Sequence, residues 1–118
     1  MVETLRNYCL SLPFVTEDMK WGDNLCFSVS GKLFLIVSLD EIPISASFKV
    51  SETDFFDLTN LDNFVQAPYF AKNQWVKVLN IDEMGVSEFK AFIIQSYKLI
   101  VKKLPKKTQL LIAENLGK

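Results

Sequence analysis

The chain has 118 residues, of which 49% are apolar, and its formal net charge is −1. This length suits one domain with one core, and the apolar share, which includes ten Phe, two Trp and three Tyr, excludes a disordered chain. No apolar run approaches the ~20 residues that cross a bilayer. The slightly acidic balance also excludes a nucleic-acid binder that relies on overall positive charge. We expect a single domain over residues 1–118.

The N-terminal half predicts one helix followed by strands. Apolar side chains at helical spacing predict a helix over residues 4–12, which Pro13 ends. Alternation over 25–29, the Ser30-Gly31 turn and the apolar run 33–37 predict a β-hairpin. Alternation over 44–50 predicts a strand with one wet face, on which Lys49 points outward.

The C-terminal half predicts mainly helices. Ser51 is placed to cap a short helix that covers Phe55, Phe56 and Leu58. A last strand is predicted over 75–79, and a largely buried helix over about 87–104. Pro105 fits the first position of a final helix that runs to about residue 116. The pattern therefore predicts an α+β fold.

The sequence offers no set of residues typical of an enzyme active site. Histidine, the commonest general base and metal ligand, is absent. Glu17 and Asp18 are neighbours on a predicted strand and point to opposite faces, so they cannot flank one bond. Cys9 and Cys26 lack the paired spacing of a metal or redox motif and are interpreted as buried thiols. We expect a protein that is not an enzyme and needs no cofactor or metal.

The N-terminal segment lacks the unbroken apolar region of a secretory signal, because charged residues interrupt it. We therefore expect a cytoplasmic location, no membrane partner and a monomer.

Positive charge is concentrated near the C-terminus. Five lysines fall within ten residues: Lys98, Lys102, Lys103, Lys106 and Lys107. Such a cluster can neutralise several phosphates, and it can equally be a solvated helix face, which the sequence alone favours. Trp21 lies in a polar turn and suits either packing or stacking on a planar ligand, whereas Trp75 heads an apolar strand and suits packing.

A set of short motifs, in a fixed order from about residue 5 to 107, resembles the MmcQ/YjbR family. The motifs are Tyr8-Cys9-Leu10-Ser11-Leu12-Pro13, Val15-Thr16-Glu17-Asp18-Met19, Trp21-Gly22-Asp23, Gly31-Lys32-Leu33-Phe34, Ala67-Pro68-Tyr69, Trp75-Val76 and Ser96-Tyr97-Lys98-Leu99 with Leu104-Pro105-Lys106-Lys107. The resemblance implies a CyaY-like α+β fold, in which helices, including the C-terminal ones, back an antiparallel sheet. It also implies DNA binding, with sheet hairpins acting as wings along a duplex.

Two functional hypotheses follow. In the first, the protein binds DNA weakly and without sequence preference through phosphate contacts. The residues assigned to this role are Lys32, Lys49, Lys72, Lys77, Lys98, Lys102, Lys106 and Lys107, with Trp21 adding stacking. In the second, a protein or small ligand binds around Glu17, Trp21, Lys32, Tyr69 and Trp75, which combine carboxylate, cationic and aromatic groups.

Overall fold

The fold comprises one sheet and several helices, and the computed structural model describes residues 1–68 and 73–116. Within these residues the helices are α1 (Val2–Ser11), α2 (Glu52–Leu58), α3 (Val86–Val101) and α4 (Lys106–Leu116). The strands are β1 (Val15–Lys20), β2 (Asn24–Val29), β3 (Lys32–Ser38), β4 (Ser45–Lys49), β5 (Phe64–Gln66) and β6 (Trp75–Val78). A 3₁₀ turn, Ile81–Glu83, lies between β6 and α3.

The strands form one antiparallel sheet in the order β1-β2-β3-β4-β6-β5. Hairpin connections join β1 to β4 in sequence, and β6 lies between β4 and β5. The predicted α+β class with an antiparallel sheet is therefore confirmed. Among the described residues, none of the helices has the length and apolar character needed to cross a membrane.

The turn between β2 and β3 forms as its sequence predicts. Ser30 and Gly31 both have positive φ angles, of 46° and 84°. This combination is typical of a two-residue type I′ turn, whose twist matches that of the flanking strands. The turn places Lys32 opposite Val29 at one end of the hairpin, while Asn24 pairs with Ser38 at the other end.

One face of the sheet packs against helices to form the main core. The ring of Phe48 on β4 lies 5.8 Å from the ring of Phe89 and 5.4 Å from that of Phe92, both on α3. Farther along α3, the ring of Tyr97 meets that of Phe34 edge-on at 5.5 Å. The long predicted helix is thus buried against the sheet, as expected, but it ends at Val101 rather than at residue 104.

A second, smaller apolar cluster covers part of the opposite face. It consists of Cys26, Ile36, Ala67 and Trp75, with Leu33 packed against it. The packing role predicted for Trp75 is therefore confirmed, and both cysteines are buried, as predicted.

The prediction that Lys49 points into water is wrong, because this lysine is only 7% exposed. Lys49 pairs with Trp75 in the sheet register, so it lies where the second cluster covers the supposedly wet face. Its Nζ donates to the backbone carbonyl of Asn73. Strand β5 was not predicted, because its three residues are too few to show alternation.

Candidate functional site

The five C-terminal lysines lie at the α3–α4 junction, and all five side chains are exposed. No aspartate or glutamate occurs between Glu88 and Glu114 in the sequence. Within residues 1–68 and 73–116, none of the five forms an ion pair. Their charges are therefore free to attract an anion.

The junction itself is held by Gln109, whose Nε2 donates to two backbone carbonyls at the end of α3. The acceptors are the oxygens of Lys102, at 3.2 Å, and Leu104, at 2.7 Å. The side chains of Leu104 and Ile112 are buried in the core on either side of this contact. These contacts fix the backbone that carries the lysines.

Lys32 lies at the same end of the molecule as the junction. The Tyr97 hydroxyl, near the end of α3, donates to the carbonyl of Pro13 at 2.7 Å. The next residue, Phe14, accepts a backbone hydrogen bond from Ser30 at 3.0 Å, which brings in the turn that carries Lys32. We call Lys32, Lys98, Lys102, Lys103, Lys106 and Lys107 the basic end.

The other described lysines assigned from sequence add no free charge to the basic end. Lys49 is buried, and its pKa is lowered first by burial and then by the nearby charge of Lys103. Lys77 is paired with Glu41, at 2.9 Å from both carboxylate oxygens. Lys72 falls outside the described residues. Neither Lys49 nor Lys77 presents a free charge on the sheet face, so the implied wing surface lacks them.

A cleft of about 470 Å³ opens on the sheet face that bears the second cluster. Among the described residues it is lined by Trp21, Asn24, Ile36, Ser38, Ser47, Pro68 and Lys77. In the sheet register, Ile36 pairs with Ser47 and Ser47 with Lys77, so these three form a row across the cleft. This row therefore runs from one apolar side chain to two polar ones.

The turn between β1 and β2 positions Trp21 at the cleft with 65% of its surface exposed. Trp21 adopts a positive φ of 49°, which is unusual for a bulky residue. Asn24 stabilises this backbone, because its Nδ2 donates to the Trp21 carbonyl at 2.9 Å. The Asn24 Oδ1 in turn accepts from the Ser38 hydroxyl at 2.7 Å, which ties the turn to β3.

Beside the cleft, Lys77 belongs to a short polar chain with Glu41 and Ser45. The Ser45 hydroxyl donates to Glu41, and Lys77 donates to the same carboxylate. These two hydrogen bonds, that of Ser45 first, hold the pKa of Glu41 below its usual range. Glu41 is therefore ionised at neutral pH and offsets the charge of Lys77.

The residues of the ligand-binding hypothesis do not form one group. Glu17 accepts two hydrogen bonds from Arg6, at 2.7 and 2.5 Å, and is absent from the cleft lining. Lys32 lies at the basic end, at the opposite end of the β2–β3 hairpin from Asn24. Trp75 is buried in the second cluster, and Tyr69 falls outside the described residues. Of the four residues of this hypothesis that the structure describes, only Trp21 lines the cleft.

Most of the described residues that line the cleft carry no clear functional signal in the sequence. Asn24 and Ser38 are polar residues at the ends of mainly apolar strands, and Ser47 lies on the polar face of β4 with Ser45 and Lys49; the sequence carries no other signal for them. Their meeting depends on the strand register and on the bulge between Phe27 and Ser28, neither of which alternation specifies. Within the described part of the chain, no group of three or more His, Cys, Asp or Glu side chains could hold a metal ion.

Comparison with known proteins identifies the family. The model of the YjbR family matches residues 10–99, which is most of the chain. This protein belongs to the YjbR family. No curated protein is similar enough to the chain to count as a match.

Two solved structures of bacterial proteins resemble this family member in fold. Protein DR2400 of Deinococcus radiodurans, which contains the domain DUF419, superposes with a TM-score of 0.84 at 22% identity, over 96% of this chain and 88% of the other. A protein from Pseudomonas syringae superposes with a TM-score of 0.67 at 18% identity, over 82% of this chain and 96% of the other. At such identities the similarity shows a shared fold alone.

Proposed function

We propose that this YjbR-family protein binds nucleic acid, DNA in the first instance, through phosphate contacts at the basic end. The observation that carries the proposal is the exposed lysine cluster at the α3–α4 junction, in a stretch of sequence without carboxylates. A duplex presents closely spaced phosphates, and lysines that neutralise them release condensed counterions. A cluster of this kind therefore binds a polyanion although the whole protein is slightly acidic.

The separation of charge along α3 supports the proposal. Glu88 is in the first turn of α3, and Asp54 of α2 accepts a hydrogen bond from Gln95 in the middle of the helix at 2.9 Å. Lys90 also lies in the first half of α3, but from Lys98 onward the lysines continue past the end of the helix with no carboxylate before Glu114. The C-terminal end of α3 and the junction thus carry amines without neighbouring carboxylates in the sequence, which raises the local positive potential above that of an evenly mixed surface.

The expected binding is weak and tolerant of sequence, because lysine contacts to phosphate position a protein without reading bases. Phosphate contacts by the five lysines of the α3–α4 junction alone predict a slope of log K against log salt of about −4.5 for duplex DNA and about −3.5 for a single strand. The duplex affinity should then fall roughly 500-fold between about 50 and 200 mM salt.

Fluorescence anisotropy with a labelled duplex and a labelled single strand, over a series of salt concentrations, measures both affinity and slope. The variant Lys102→Gln removes one charge at the basic end and should reduce the duplex slope by about 0.9. The matched control is Lys20→Gln, which removes one exposed charge at the opposite end of the β2–β3 hairpin from Lys32. It should leave the slope unchanged.

Absence of binding at micromolar protein and about 50 mM salt would overturn the proposal. An equal loss of duplex affinity in Lys102→Gln and Lys20→Gln would also overturn the proposal, because net charge rather than the basic end would then determine affinity.

A further inference from the structure

The cleft beside Trp21 lies well away from the basic end and takes no part in the proposed function. Asn24, at the cleft, and Val29, opposite Lys32, are the two ends of β2. Five residue steps along a strand span about 17 Å. DNA bound at the basic end therefore does not explain the exposed tryptophan, and we look for a separate ligand of the cleft.

We propose that this cleft binds a small, uncharged, planar heteroaromatic molecule that carries a hydrogen-bond acceptor. Its volume of about 470 Å³ lies within the range of roughly 300 to 1,000 Å³ that is usual for small-molecule sites. The Trp21 indole supplies a flat aromatic surface, and the Pro68 ring and Ile36 supply further apolar surface. A flat aromatic surface favours a planar ring over a branched or saturated one.

The polar groups determine which edge the ligand presents. The Ser47 hydroxyl is half-buried at the cleft and makes no hydrogen bond to another described residue. The Lys77 ammonium group has three donors, and its neighbour Glu41 has only two carboxylate oxygens to receive them. An acceptor on the ligand can thus receive hydrogen bonds from Ser47 and Lys77, which lie side by side in the register.

The ion pair also determines the ligand's charge. Glu41 offsets the charge of Lys77, so an anionic ligand would meet a neutral pair and the nearby carboxylate. An anionic ligand that displaced the Glu41 carboxylate from Lys77 would also move it away from the Ser45 hydroxyl that donates to it. At Ser47 and Lys77, the cleft therefore favours an uncharged carbonyl or ring nitrogen over a carboxylate.

The backbone of the turn is built to hold the tryptophan at this place. A residue such as Trp21 in the left-handed region persists only where its surroundings determine it, and such residues concentrate at functional sites. The hydrogen bonds through Asn24 to Ser38 provide that support. The exposure of the indole is therefore a maintained feature of the turn.

The test uses three probes and NMR spectroscopy of the whole ¹⁵N-labelled chain. Quinoline-3-carboxamide is planar and uncharged, quinoline-3-carboxylate has the same ring with a negative charge, and cyclohexanecarboxamide has the same amide without a planar ring. We expect a saturable shift of the Trp21 indole signal and of the Ser47 and Lys77 amide signals with the first probe, and at least tenfold weaker binding of the other two. The Trp21 indole signal is assigned with Trp21→Phe.

Variants then separate specific binding from adsorption to exposed aromatic surface. Trp21→Ala should weaken binding of quinoline-3-carboxamide about tenfold, in line with loss of one stacking platform. Ser47→Ala, which leaves the indole in place, should weaken it several-fold. The control Phe56→Ala removes an aromatic side chain that is 71% exposed on α2, outside the cleft, and should have no effect. Unsaturable shifts, equal affinity for the carboxylate, or equal losses in Phe56→Ala and Trp21→Ala would overturn the proposal.

Discussion

Ser96 links the long helix to the sheet at the point where strand pairing stops. The β3–β4 ladder ends at the pair Leu35 and Phe48, and the next residues in register, Phe34 and Lys49, are not paired. The Ser96 hydroxyl lies between them instead, donating to the Phe34 carbonyl at 2.6 Å and accepting from the Lys49 amide at 3.0 Å. Because Ser96 is fully buried, water cannot replace it there. We therefore predict that Ser96→Ala strongly destabilises the fold.

The expected loss follows from the two backbone groups left without a partner. A buried unsatisfied donor or acceptor costs about 1–3 kcal/mol, so two together cost roughly 2–6 kcal/mol. The higher helix propensity of alanine returns about 0.5 kcal/mol. We take a net loss of about 3 kcal/mol, which for a domain of this size lowers Tm by about 12 °C.

Urea denaturation followed by circular dichroism measures the free energy of unfolding of the variant and its midpoint. The midpoint should fall while the m-value stays constant, since the surface exposed on unfolding is unchanged. The control is Ser87→Ala, which makes the same substitution at an exposed serine in the first turn of α3. It should change the free energy of unfolding by no more than about 0.5 kcal/mol. If Ser96→Ala lowers the free energy of unfolding no more than this control does, the Phe34 carbonyl and the Lys49 amide are satisfied without the hydroxyl, and the prediction is wrong.

Two further predictions concern titratable groups. The pKa of Glu17 is lowered chiefly by its hydrogen bond from Arg6, so the pair stabilises the fold above pH 4.5, the ordinary glutamate pKa, and this contribution is lost as pH falls through the lowered pKa. Urea denaturation should show that the difference in free energy of unfolding between wild type and Glu17→Gln narrows below pH 4.5. A constant difference would contradict the prediction. Burial raises the pKa of Cys9 to about 12 and also raises that of Cys26. Neither thiol should therefore react with a disulfide reagent until the chain is unfolded in urea. Rapid reaction of the folded protein would contradict this prediction.

The sequence predicts most elements of this fold because local rules agree with the tertiary contacts. The turn at Ser30 and Gly31 needs residues that tolerate positive φ, and the cap at Ser51 needs a side-chain acceptor for the amide of Asp54. Both requirements involve residues within four positions of each other, so they can be recognised from the sequence alone. The predicted fold class follows from such signals taken together, whereas the resemblance to the family rests on the ordered set of motifs.

The failure at Lys49 has a different physical origin. Alternation correctly separates the two faces of β4, but it assumes that the face with serines and a lysine meets water. The second cluster, with Trp75 beside Lys49 in the register, covers part of that face. A long-range contact decides the burial of this lysine, and no short-range pattern reports it.

The candidate sites show the same division. Clustering along the chain already indicates the basic end, because its lysines are neighbours in sequence as well as in space; only Lys32 needed the structure to join them. The cleft draws its lining from β2, β3, β4, β6 and two connections, so it exists only once the register is known. Of its described lining residues, the sequence singled out Trp21, as an aromatic residue in a polar turn, and Lys77, for phosphate contact rather than for a cleft.

The distance between the two sites makes their tests independent. Energetic effects at positions more than about 7–10 Å apart with no shared partner are usually additive. The ends of β2 lie farther apart than this, and among the described residues Trp21 and the lysines of the α3–α4 junction share no hydrogen-bond partner. Lys102→Gln should accordingly leave carboxamide binding unchanged, and Trp21→Ala should leave the salt slope of duplex binding unchanged. Failure of one proposal would then leave the other standing, whereas a variant that affected both would reveal a structural connection through the sheet.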